Sequence, residues 1–163
     1  MSTKTYELTF DGGLLERGFW LYVWEITTPG QRCVYYVGRT GDSSSFNAQS
    51  PFNRMGQHLG SQVNSNALRR HLQKRGIQPE HCSFRLVAYG PVMEISSRDQ
   101  HRKRRDKVAA MEKALAEAIC AAGYEVLNTV TCRVPLDEEA FAEVLEAFAE
   151  KFERLKKGKR ASA

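Results

Sequence analysis

Apolar residues fall along the chain in two rhythms. FWLYVWEIT (19 to 27) and CVYYVGR (33 to 39) are dense in aromatic and β-branched side chains, and the Thr28-Pro29-Gly30 turn between them predicts an antiparallel hairpin. CSFRLVAY (82 to 89) predicts a third strand. Elsewhere the period is helical. Pro51 opens a segment with Phe52, Met55 and Leu59 on one side, and Ser65 or Asn66 precedes ALRRHLQKR, which Gly76 ends. Residues 96 to 122 contain no Pro or Gly and predict one long helix stopped by Gly123. From Asp137, Phe141, Val144, Leu145, Phe148, Phe152 and Leu155 repeat at helical spacing, predicting a terminal amphipathic helix. The expected fold is α+β, a three-stranded antiparallel sheet flanked by helices with that C-terminal helix added. YELTF (6 to 10) reads as an added strand or a loose arm. Residues 1–18 form an N-terminal extension, 19–130 the main domain, 131–157 the helix packed on it, and 158–163 a flexible basic tail.

Composition adds a sign to this outline. The 163 residues carry 24 Lys+Arg against 19 Asp+Glu, a net charge of +5, and the 42% apolar content is enough for a core, which excludes a disordered chain. The charge is uneven: basic residues gather at 69–75, 98–107 and the tail, and acidic ones at 137–150. The longest apolar run, Phe19 to Trp24, is far short of the ~20 residues of a membrane span. The polar start lacks the apolar core of a signal peptide, so a cytoplasmic protein with no membrane partner is expected. Cys33, Cys82, Cys120 and Cys132 form no CxxC pair and are expected to be reduced, mostly buried thiols.

Strand alternation puts Trp20, Tyr22 and Trp24 on one face of the first strand and Val34, Tyr36 and Gly38 on one face of the second. Tyr22 and Tyr36 are then either core aromatics or a site. Arg54 and His58, four apart on one helix, lie beside an apolar stripe and point either to solvent or inward. Glu112 interrupts the stripe of Val108, Met111, Leu115 and Ile119. A carboxylate there needs a partner, so it is either ion-paired or a metal ligand. Arg69, Arg70 and Lys74 on one helix, with Arg102 and Arg105 on the next, offer a phosphate-binding surface or an ordinary solvated one.

In order, Leu21-Tyr22, Tyr36-Val37-Gly38, Arg54, His58, Glu112 and Asn128 resemble the GIY-YIG nuclease superfamily over about 19 to 128. The resemblance implies phosphodiester cleavage with one divalent metal, Mg²⁺ or Mn²⁺. It implies catalytic roles for Tyr22, Tyr36, Arg39, Arg54, His58 and Asn128, a structural role for Gly38, and metal binding by Glu112. DNA is the expected partner, with RNA second, and the protein is expected to be a monomer or a homodimer through its terminal helix. Two departures stand out: Trp20 replaces the first motif's glycine, and the polar loop 41–51 lengthens the path from Gly38 to Arg54 and is a candidate DNA-contacting insertion. The rival reading is a non-catalytic nucleic-acid-binding module on the same scaffold.

Overall fold

The computed structural model describes residues 3–42, 48–62, 66–94 and 97–160. Its sheet contains β1 (Phe19–Thr27), β2 (Cys33–Arg39) and β3 (Ser83–Met93), in the order β2-β1-β3 and antiparallel throughout. The fold is α+β, and the first two strands have the predicted ends. The third runs four residues past Tyr89, through Gly90-Pro91, because Met93 pairs with Phe19 across a register shift.

Alternation divides the core in two. Phe19, Leu21, Val23, Tyr35 and Val37 face α3 (Arg98–Ala121), α4 (Glu138–Lys151) and α5 (Glu153–Arg160), packing on Val108, Met111, Leu115, Ile119 and Phe148. Tyr22, Trp24, Ile26, Val34 and Tyr36 face the opposite layer, α1 (Pro51–Leu59) and α2 (Ala67–Gln73), and pack on Leu68 and Leu72. Ser50 caps α1 by accepting from the Asn53 N–H, with Pro51 in the first turn, and Asp137 caps α4 through the Ala140 N–H.

Four expectations change. The terminal segment is two helices, because Phe152 leaves helical geometry (φ −124°, ψ 96°) and buries its ring among Tyr35, Tyr124 and Phe148. The second of these helices runs to Arg160, into the segment expected to be a tail; residues 161–163 lie outside the described ones. YELTF forms no strand, which leaves its reading as an arm, and Tyr6 and Leu8 are exposed; among the described residues of the extension, regular structure is confined to a 3-10 turn at Gly12–Leu15. None of the cysteines is buried: Cys33 starts an edge strand and Cys120 lies on the outward side of α3, both exposed, while Cys82 and Cys132 are half-buried. Among the described residues no helix is long and apolar enough to cross a membrane.

Trp20 is accommodated across the sheet. Its ring lies over Gly90, where a Cβ would come 2.8 Å from Trp20 Cδ2, and its indole N–H donates to the Glu16 carbonyl at 3.1 Å.

Candidate active site

The register opposes Tyr22 to Gly38, and this pair organises the site. The Tyr22 ring lies across the bare Cα: a Cβ at position 38 would be 2.5 Å from Tyr22 Cε2 and Oη. The phenol therefore reaches α1, where Tyr22 Oη and His58 Nε2 share a 2.5 Å hydrogen bond. His58 also meets the edge of Tyr36, with ring centroids 5.2 Å apart. The Arg54 and His58 side of α1 thus turns inward. His58 is 3% exposed, whereas Met55 and Leu59 are only half-buried.

Arg54 sits beside these rings. One of its terminal nitrogens donates to Asp42 Oδ2 at 2.8 Å and the other to Gln57 Oε1 at 2.8 Å. Its buried Nε has no hydrogen-bond partner among the described residues, nor does His58 Nδ1. Arg39, next to Gly38, points to the other face of the sheet, where its Nε donates to Glu112 Oε2 at 2.8 Å. Both side chains of that pair are about 15% exposed (14% and 16%). Glu112 is therefore ion-paired, as one of its two sequence readings required. Its second oxygen, Oε1, has no partner among the described residues. That free oxygen on a largely desolvated carboxylate suits a divalent cation bound through one carboxylate and water, so the residues fit the implied metal. No group of three His, Cys, Asp or Glu side chains that could enclose an ion occurs among the described residues.

Burial sets the protonation pattern. It pushes the Tyr22 phenol far above its ordinary value, against the pull of the neighbouring Arg54 cation, and raises Tyr36 to about 12, with Glu112 acting in the same direction. Burial, helped by Arg54, lowers His58 to about 4, so its imidazole is neutral at neutral pH. Burial raises Glu112, and Arg39 opposes that shift. Glu112 influences both tyrosines and is itself influenced by Asp42 and Arg54. Although they sit on opposite faces of the sheet, these groups share one electrostatic site around the end of β2.

Other expected site residues play different parts. Asn128 accepts from the Val37 N–H at 3.1 Å and donates to the Val37 carbonyl at 2.8 Å, so both its amide oxygen and its amide nitrogen hold β2. Arg69 does not face outward as expected. It donates to the Leu59 carbonyl at 3.0 Å and pairs with Glu80 at 2.6 Å, tying α2 to its surroundings. Arg105 pairs with its neighbour Asp106 at 3.1 Å. Arg70, Lys74 and Arg102 are exposed. The middle of the candidate loop insertion, 43–47, lies outside the described residues.

Sequence reasoning missed Asp42 and Thr40. Thr40 is fully buried and joins the end of β2 to the start of β1, its hydroxyl donating to the Gly18 carbonyl at 2.5 Å and accepting from the Trp20 N–H at 2.8 Å. Neither residue has a periodic signal, because both lie just beyond a strand. Comparison of the chain with family models, with curated proteins and with solved structures gave no match.

Proposed function

We propose that the protein is a divalent-metal-dependent endonuclease that hydrolyses DNA phosphodiesters at a GIY-YIG-type site. One observation carries the reading. Tyr22, Tyr36, Arg54 and His58 meet in a desolvated cluster beside Glu112, a mostly buried carboxylate with one oxygen free. The buried Arg54 Nε has no partner among the described residues, which is costly in an ordinary core, and a bound phosphate oxygen would accept from it.

In this reading Glu112 would hold the divalent cation. The bound ion supplies charge neutralisation at the phosphoryl oxygens and leaving oxygen. Arg54 binds a non-bridging phosphate oxygen, and Arg39 lies within reach of the same group. Tyr22 orients the attacking water. Burial keeps the phenol protonated and the imidazole neutral, so Tyr22 and His58, joined by their hydrogen bond, orient the water while its proton leaves to solvent. Tyr36 packs against His58 and fixes the ring. Asn128 and Gly38 act through the backbone of β2 and the placement of the Tyr22 ring.

The rival, a binding module without chemistry, draws support from the fact that Glu112 and Asp42 are already neutralised by Arg39 and Arg54. Plasmid nicking in Mg²⁺ or Mn²⁺ separates the two. The wild type nicks, while Glu112→Gln and Tyr22→Phe lose at least ~100-fold in rate and keep DNA affinity. A clean wild-type preparation that binds DNA without cutting it, or a Glu112→Gln variant of unchanged rate, overturns the nuclease assignment.

A further inference from the structure

The basic residues of α3 are not equivalent. Arg104 donates to the Glu94 carbonyl at 2.6 Å, Lys107 pairs with Asp137 at 3.4 Å, and Arg105 pairs with Asp106. Arg98 and Arg102 are exposed and have no partner among the described residues. At about 100° per residue, Arg98, Arg102 and Arg105 lie within roughly 80° of Glu112 on the helix, forming one stripe with it. Lys103 and Lys107 fall on another side, lining a hollow with Met93 and Glu94 next to β3.

The stripe starts at the candidate active site, since Arg39 bonds Glu112 and also donates to the Arg105 carbonyl at 3.5 Å. At 1.5 Å per residue, Arg98 lies about 21 Å from Glu112 along the axis. The α4 side has the opposite charge, as Glu139, Glu143, Glu146 and Glu150 line the hollows between α4 and β3.

We infer that Arg98 and Arg102 form a track that carries one DNA strand away from the site along α3. The acidic face of α4 disfavours approach from the α4 side. With one phosphate per about 3.4 Å of duplex axis on each strand, the stripe matches about six nucleotides on one side of the cleavage position. This deepens the nuclease reading by giving the substrate's direction, and it rests on that reading for the position of the cut.

The test compares two doubly substituted proteins of equal charge. Binding of a fluorescently labelled duplex is followed by anisotropy in EDTA across a salt series, for wild type, Arg98→Ala/Arg102→Ala and Lys103→Ala/Lys107→Ala. Each phosphate contact contributes about 0.9 to the slope of log affinity against log salt, so the first variant loses about two from that slope and the second keeps the wild-type value. Equal slopes in the two variants, or an unchanged slope in the first, overturn the track. Because the assay needs no cleavage, the failures separate. Wild type that binds with the track signature but never cuts in Mg²⁺ removes the nuclease reading and keeps the track. Wild type that cuts, with an insensitive Arg98/Arg102 variant, removes the track alone.

Discussion

Gly38→Ala is the most direct probe of the site's construction. The added methyl would lie 2.5 Å from Tyr22 Cε2 and Oη and 2.6 Å from Cζ, at least ~1 Å inside an ordinary carbon contact. Tyr22 is 1% exposed and tied to His58, so the ring has no free space to enter. Two responses are open. If the ring stays, the crowded contact costs about 1 to 3 kcal/mol. If it swings, the Tyr22–His58 hydrogen bond is lost and two buried polar atoms are left to find partners, again about 1 to 3 kcal/mol. Replacing Gly by Ala in a strand offsets about 0.5 to 1 kcal/mol of either. The net expectation is a loss of about 1 to 2 kcal/mol, or about 2 to 8 °C in Tm for a chain of this size. Urea unfolding should show a lower midpoint with an unchanged m-value. In a Tyr22→Leu background the same substitution should cost less than about 1 kcal/mol, because the ring it strikes is gone. A Gly38→Ala protein within about 0.5 kcal/mol of wild type, or an equal cost in both backgrounds, would refute the argument.

Two other predictions concern pH and the edge of the sheet. His58 is held at about 4 in the fold against about 6.5 in the unfolded chain, so between those values the unfolded state binds the extra proton. Stability therefore falls as pH drops from about 6.5 towards 4. The advantage of wild type over His58→Gln should shrink across that window, whereas a constant difference in urea midpoints would remove the buried neutral imidazole from the account. At the edge, Asn128→Asp keeps an acceptor for the Val37 N–H but loses the donor to the Val37 carbonyl. It should destabilise by about 1 to 3 kcal/mol at neutral pH. Mild acid should narrow its gap to wild type as the carboxyl regains a proton, and a gap that ignores pH would show that the donor has no part.

The strands were legible because β-branched and aromatic residues mark them and period two fixes their faces. That period gives each residue's face, and the opposition of Tyr22 to Gly38 follows only once the hairpin register is fixed. The inward turn of His58 was harder to see, because Met55 and Leu59 advertise a competing buried side, and a buried imidazole needs Tyr22 as a partner from another element. Glu112 announced a need for compensation without naming its source, and Arg39 supplies it from 73 residues away. The break at Phe152 had no local signal. Helical spacing continues through it, and the extended backbone is selected by the pocket among Tyr35, Tyr124 and Phe148. Gly90-Pro91 reads as a stop, yet β3 continues because Gly90 leaves room for Trp20.

Sheet geometry also accounts for where the site lies. Tyr22 and Tyr36 project into the α1 and α2 layer, while Glu112 approaches from α3, so the sheet separates them over most of its length. Only around the end of an edge strand can one substrate touch both layers. The outer edge of β2 is covered as far as Val37. Tyr35 exchanges backbone hydrogen bonds with Glu125 and Leu127, and the Asn128 amide supplies the next rung at Val37. Continuing the alternation, the following outward rung falls at Arg39, where the backbone groups have no partner beyond β1 among the described residues. Gly38, without a side chain, stands between the closed rungs and the open one. An exposed edge is ordinarily a liability that a fold covers. Here, among the described residues, the covering stops beside Arg39, Glu112 and the Tyr22–His58 pair, so this open rung is also a passage between the two sets of site residues.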